Sequence, residues 1–407
     1  MDGDVRAVLV GAGEDRYLEE LASLARTLGV EVVGTLEQSR RDPVGYLGSG
    51  KRAELRSLVE ESDAGMVITD DELSASQARA LERDCRASVV DRTELIIRIF
   101  EAHARDRASK LEVELADLEY RLPRVKGRNE ALSRLGGGVG TRGPGEQQLE
   151  YDRRLIRNRM RTIRRRLEQE RRSRRVRRES RERLRIPSVS LVGYTNAGKT
   201  TLLNALSSSE GSTADRLFET LETSTRIVRG NDGNPDILMT DTVGFIRKLP
   251  TQLVHSFEST LEAAADADVL VVCADASSPF LDEEVAVVRE TLSGLDPAPE
   301  EEDVILCLNK IDRLKPHEIK ALKTRYPSAT LLSALRNPRE LLDRIYSRLS
   351  ERMERLELLI PHSDYQIVST LYERAIVHSQ KPLEGGTLLD VSIPDQILPR
   401  YSRYRIA

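Results

Sequence analysis

Residues 193–200 read GYTNAGKT, which sets two glycines, a lysine and a hydroxyl at the spacing of a phosphate-binding loop. Gly193 and Gly198 would let the backbone wrap a phosphate with no Cβ in the way. The N–H groups from Tyr194, Thr195, Asn196 and Ala197 onward, with the start of the helix they lead into, would supply partial positive charge. Lys199 would reach the outer phosphates and the Thr200 hydroxyl would ligate Mg2+, with Thr201 completing the helix start. A chance glycine-rich turn is the bland alternative. The apolar run SVSLV before the loop and the helical pattern TTLLNAL after it argue against that.

Three further strand ends follow in order. DILMTDTVG (236–244) ends in Asp241 and Gly244, a carboxylate for Mg2+ and an N–H to sense a terminal phosphate. VILCLNKID (304–312) ends in Asn309, Lys310 and Asp312. The Asp312 carboxylate can accept from both N1–H and the exocyclic amine of guanine, a pattern adenine does not offer. Hydrogen bonds to a charged group are worth about 1.5–3 kcal/mol each, so the filter is strong. ATLLSALRN (329–337) brings Ser333, Ala334 and Leu335, whose backbone can support the guanine O6. Each motif alone could be an ordinary turn; four in this order point to a guanine-nucleotide site. Between the first two, Thr225 in RLFETLETSTRIV (216–228) is the candidate for Mg2+ and the γ-phosphate, against a plain surface threonine. Phe245 stands where many GTPases carry a water-orienting Gln, and it cannot hydrogen-bond a water.

The elements around these motifs fall into blocks. Residues 5–104 alternate short apolar runs with helical patterns, which predicts a parallel α/β layer. Gly48-Ser-Gly-Lys51 opens one of those helices as a cap or as a weak anion site. Leu111, Leu115, Leu118 and Leu122 follow helical spacing, and Leu149, Ile156, Met160, Ile163 and Leu167 form a heptad-like seam. Two such helices predict a hairpin around a loop from about Pro123 to Glu146, in which six of the ten residues 136–145 are glycine. A mobile linker and a functional loop both remain open for it. Residues 151–185 hold seventeen Arg against five acidic residues, so the rest of the chain carries −16 against a total of −4. That asymmetry predicts a polyanionic partner at one place. A second α/β alternation starts at Ser188 and a small α+β appendage closes the chain. The expected division is therefore 1–107 (α/β), 108–186 (helical hairpin), 187–352 (a phosphate-loop nucleotide domain) and 353–407 (α+β).

With 407 residues, at roughly 100–200 per domain, several domains are expected. No apolar run approaches the roughly 20 residues of a membrane span. Cys85, Cys273 and Cys307, and His255, His317 and His378, lack ligand spacing, and scattered thiols fit a reducing cytoplasm. With no Trp and 4% aromatics, a base-stacking platform is not expected.

YLGSGK (46–51), DELSASQ (71–77), VVDRTELI (89–96), KLEVELADLEYRLPR (110–124), LSRLGGGVGTRGPGE (132–146) and GYTNAGKTTLLNAL (193–206) together resemble the HflX family of translational GTPases along nearly the whole chain. The resemblance implies a cytoplasmic, monomeric GTPase with a Ras-like nucleotide domain. It implies GTP and GDP as ligands, Mg2+ as cofactor, and the large (50S) ribosomal subunit as partner, with rescue or splitting of stalled ribosomes as the task. It also implies that the glycine loop reaches among ribosomal RNA. Arg134 and Arg142 would then pair with phosphates, and Arg171, Arg172, Arg174 and Arg175 would neutralise more of them. Similar GTPases with an Asn in the phosphate loop place K+ there, which makes Asn196 a candidate; shaping the loop is its bland role. A GTPase acting on tRNA or in ribosome assembly, and an RNA-binding scaffold with a regulatory nucleotide, are the competing readings.

Overall fold

The computed structural model describes residues 5–13, 17–125, 144–184, 186–207, 224–231, 233–248, 267–295, 298–394 and 397–406. The chain forms two compact units, the first built mainly from residues up to 172 and the second mainly from those after it.

The first unit opens with the expected alternation. Strands β1 (Arg6–Ala12), β2 (Glu31–Gln38), β3 (Met66–Thr69) and β4 (Ser88–Asp91) form a parallel sheet in the order β2-β1-β3-β4. Helices α1 (Leu18–Thr27), α2 (Ser49–Glu61), α3 (Ala75–Cys85) and α4 (Arg92–His103) alternate with them. Crossover helices cover a parallel sheet, so its strands are continuous apolar runs; Ala7, Val8, Leu9 and Val10 are fully buried. Ser74 and Gln77 close a capping box on α3, and Asp91 caps α4. Gly48 starts α2 with its N–H donated to Gln38 Oε1, which favours the cap reading of GSGK.

A buried ionic network sits at the carboxyl ends of β3 and β4. Arg92, 1% exposed, donates to Asp70 at 2.8 Å and to Glu20 at 2.7 Å. Asp71 accepts from Arg41 and from the Tyr46 hydroxyl. Lys248, which clusters with this unit, places its ammonium 2.9 Å from Asp70 and 2.8 Å from Asp71. Each buried charge thus has an opposite charge in contact, which its desolvation requires.

Helix α5 (Arg107–Arg124) and helix α6 (Pro144–Leu184) make the hairpin. Both run further than the sequence suggested: α5 takes Pro123 into its last turn, and α6 is continuous through the arginine-rich stretch. Leu111, Leu115, Met160, Ile163 and Leu167 are buried together, flanked by Leu118, Leu122 and Ile156, so the heptad-like spacing from Ile156 onward is the packing seam, and Leu149, also expected there, is not part of this cluster. Arg124 ties the loop end of α5 to the α/β layer. Its guanidinium lies 3.5 Å over the Tyr120 ring and donates to Leu73 O and Asp91.

In the second unit, β5 (Ser188–Gly193), β6 (Ser224–Val228), β7 (Ile237–Asp241), β8 (Val269–Asp275), β9 (Val304–Asn309) and β10 (Thr330–Leu331) form one sheet in the order β10-β9-β8-β5-β7-β6, antiparallel only at β6. Helices α7 (Lys199–Leu206), α8 (Leu281–Ser293), α9 (Pro316–Arg325) and α10 (Glu340–Glu351) complete this α/β domain. A small α+β region follows, with β11 (Met353–Ile360), α11 (Gln366–Arg374), β12 (Ile376–Leu383) and β13 (Gly386–Pro394) in the antiparallel order β11-β13-β12. Among the described residues, no helix is long and apolar enough to cross a membrane.

Ile163 is fully buried in the hairpin seam. Ile163→Ala is expected to destabilise the first unit by about 2–5 kcal/mol through the cavity it leaves. Urea unfolding followed by hydrogen exchange of α5 and α6 measures it; a change below about 1 kcal/mol would show that the seam does not hold the hairpin.

Candidate guanine-nucleotide site

The carboxyl ends of β5, β7 and β9 converge where ligands sit in open parallel sheets. The loop after β5 is pressed against β8. A Cβ on Gly193 would lie 2.0 Å from Cys273 O, so only glycine fits. Gly198 has φ +90° and caps α7; a Cβ there would lie 2.4 Å from the Asn309 amide nitrogen. The loop is further braced by Cys273 Sγ, which donates to Ala197 O at 3.3 Å.

Asn309, 1% exposed, joins two of the motifs. Its Nδ2 donates to Ala197 O and its Oδ1 accepts from Ala334 N, both at 2.9 Å. One carboxamide therefore registers the phosphate loop against the 333–335 loop. Lys310, at φ +65°, is held by Asp275 at 2.8 Å, and its ammonium lies 3.5 Å from Asn196 Oδ1. The Asn196 amide thus faces the base-side lysine in this conformation. Asp312 lies on the short turn after Lys310. The neighbouring Ser333 hydroxyl lowers its carboxyl below the ordinary value, although that hydroxyl lies outside strict hydrogen-bond geometry. A carboxyl so lowered is charged at neutral pH, as guanine recognition needs. Leu335, two residues after Ser333, is 76% exposed, an apolar surface open to a base.

Lys199 is buried, and burial lowers its pKa. Its ammonium donates to Gly193 O and Tyr194 O at 3.1 and 3.0 Å, which fixes it inside the loop. Thr200 Oγ1 donates to Asp241 Oδ2 at 2.6 Å, so the two oxygen donors expected for a metal meet. A hydroxyl beside a buried carboxylate is a hard oxygen set that suits Mg2+. Thr225 is placed elsewhere. It lies on β6 and its hydroxyl meets Thr240 at 2.9 Å. Thr201 continues α7. Arg134 and Arg142 lie outside the described residues, as does most of the glycine loop, and so do the side chains of Arg171, Arg174 and Arg175; Arg172 pairs with Glu168.

Sequence reasoning did not single out Cys273, Asp275, or the contacts made by Tyr194 and Arg247. Tyr194 OH accepts from Arg247 N at 2.7 Å, and the Arg247 guanidinium pairs with Glu283 and lies 4.8 Å from the Phe280 ring. Tyr194 lies within the phosphate-loop motif, but its side-chain contact is not set by that spacing; Cys273, Asp275 and Arg247 belong to no spaced motif, and an arginine close after Gly244 was the available signal.

Three family descriptions match successive stretches between residues 15 and 310: GTP-binding GTPase N-terminal over residues 15–101, GTP-binding GTPase Middle Region over 103–181, and 50S ribosome-binding GTPase over 188–310. The GTPase HflX of Caldanaerobacter subterraneus subsp. tengcongensis is 40% identical over 403 residues, covering 98% of this chain and 93% of that one. That of Escherichia coli is 38% identical over 384 residues, covering 93% and 89%. Among solved structures, a GTP-binding protein from the hyperthermophilic archaeon Sulfolobus solfataricus in complex with GDP is 22% identical with a TM-score of 0.44, covering 85% of this chain and 99% of that one.

Removing the Asn309 carboxamide orphans a buried N–H and a buried carbonyl, at about 1–3 kcal/mol each. Asn309→Ala is expected to weaken GDP binding at least tenfold, read by fluorescent-nucleotide titration. Wild-type affinity would show that the tie does not organise the site.

Proposed function

From the premise that the chain belongs to the HflX GTPase family and is a GTP hydrolase, we propose that it binds the large ribosomal subunit through ribosomal RNA and dissociates or rescues stalled ribosomes. The observation that carries the nucleotide part is the Asn309 tie, which sets the phosphate loop and the base-reading residues in one register. The Asp312 carboxylate would read guanine, Lys199 and the loop N–H groups would hold the phosphates, and Thr200 and Asp241 would hold Mg2+, which supplies charge neutralisation at the β- and γ-phosphates. Thr225 would join them only after β6 is rearranged. Phe245 is 3% exposed and cannot orient a water, so hydrolysis is slow until a cation at Asn196, such as K+, or the ribosome completes the site. The protein works as a cytoplasmic monomer, and its four parts divide near residues 107, 186 and 352.

The RNA part rests on how α6 distributes its arginines. Arg159 and Arg164 are committed to Glu114 and Glu119 on α5. Arg154, Arg161 and Arg165 recur at spacings of seven and four on the side opposite the seam, and no carboxylate partner engages them among the described residues. These, with the arginines that follow, are the phosphate-binding stripe.

Asp312→Asn is expected to lose about 1.5–3 kcal/mol of GTP affinity and to gain xanthosine triphosphate. Unchanged GTP binding would end the base-reading assignment. Arg161→Gln with Arg165→Gln is expected to flatten the salt dependence of 50S co-sedimentation, by about 0.7–0.9 in log–log slope for each RNA phosphate that is no longer neutralised. A slope equal to wild type would leave these arginines as a solvated face. Tight binding to free tRNA with weak binding to subunits would favour the tRNA reading.

A further inference from the structure

The phosphate loop carries a hydroxyl that its own fold does not use. Thr195 is 6% exposed, and its Oγ1 is buried with no hydrogen-bond partner among the described residues. A buried polar atom without a partner costs folding free energy, and each one in a native fold calls for an explanation, a catalytic role among them. The other threonine hydroxyls around the site are engaged. Thr200 Oγ1 donates to Asp241, Thr242 Oγ1 donates to Leu191 O, and Thr225 meets Thr240. The Thr195 backbone is fixed, since its N–H donates to Phe245 O at 2.8 Å. Its side chain stands against Gly244, the glycine placed to sense a terminal phosphate. A Cβ built on Gly244 would lie 2.8 Å from Thr195 Cγ2 and 3.1 Å from the Lys199 ammonium, so the threonine and the lysine border the same side of that glycine. Phe245, the next residue, is 3% exposed and supplies no polar side chain there.

We propose that the Thr195 hydroxyl is a catalytic group for GTP hydrolysis, holding the attacking water in line with the γ-phosphorus, the task that Phe245 cannot fill. The hydroxyl accepts from the water and donates to a γ-phosphate oxygen. The water oxygen bonds to phosphorus as the bond to the β–γ bridging oxygen breaks. That electron pair leaves with GDP, and one water proton passes to an oxygen of the released phosphate. Thr195 gives up no proton and brings no charge. Neutralising the developing charge therefore still falls to a cation or to the ribosome, and the rate without them stays low. The role belongs to the side chain and is separate from the phosphate contact expected of the loop's N–H groups. It rests on the reading of this site as the guanine-nucleotide site.

The test uses the full chain with Thr195→Val, which keeps a methyl and removes the hydroxyl, and Thr195→Ser, which does the reverse. Single-turnover GTP hydrolysis is measured in potassium with and without 50S subunits, beside titrations of fluorescent GDP and a non-hydrolysable GTP analogue. Thr195→Val is expected to hydrolyse about ten- to a hundredfold more slowly, the scale of one hydrogen bond to a charged group, with both affinities within about twofold of wild type. Thr195→Ser is expected to keep hydrolysis within a few-fold of wild type. Thermal unfolding without nucleotide separates this from a structural role. Removing an unpartnered hydroxyl should leave the melting temperature of Thr195→Val at or above that of wild type. Unchanged hydrolysis in Thr195→Val, an equal loss in Thr195→Ser, a parallel loss of analogue affinity or a lowered melting temperature would each overturn the proposal. Failure of the wild-type chain to bind either guanine nucleotide would overturn the site reading itself, a separate outcome.

Discussion

A phosphate chain is held by backbone N–H groups, so everything near it must leave that backbone uncovered and fixed. The Asn309 carboxamide meets the second requirement with two hydrogen bonds, to Ala197 O and from Ala334 N. The first is met by Gly193 and Gly198, where a Cβ would strike Cys273 O or Asn309 itself. The parallel order β9-β8-β5-β7 brings these groups to one end of one sheet. Cys273 and Cys307 are opposite each other in register on β8 and β9, buried and small enough for the loop to close over Cys273. Specificity and phosphate binding thus depend on the same few buried contacts, and loss of one disturbs both.

Much of this was legible because its chemistry is local in sequence. The phosphate loop, Asp241, Asn309 and Asp312 each follow an apolar strand at a fixed offset, and spacing reveals them. The hairpin seam was legible for the same reason, since Met160, Ile163 and Leu167 repeat with the helix. By residue type Pro123 reads as a break, yet α5 carries it in its last turn, next to Arg124, which is held by Tyr120, Leu73 and Asp91. Long-range pairing was not legible. Nothing near Arg159 announces Glu114, forty-five residues earlier. Thr225 follows a plausible motif, but β6 pairs antiparallel with β7 and carries its hydroxyl to Thr240.

The same distinction between local and distant partners decides what the arginine-rich helix can do. Read as composition, α6 is a block of positive charge. In the fold, Glu114 and Glu119 neutralise the arginines flanking the seam, where exposed ion pairs are individually worth no more than about 1 kcal/mol. Their weakness matters less than their placement. They occupy the arginines nearest α5 and leave Arg154, Arg161 and Arg165 along the outer side, with Tyr151 and Leu155 half exposed nearby. A regular row of charges with apolar neighbours can follow a polyanion's backbone, whereas a uniformly charged helix has no preferred side. The acidic residues of α5 thus give the basic helix a direction.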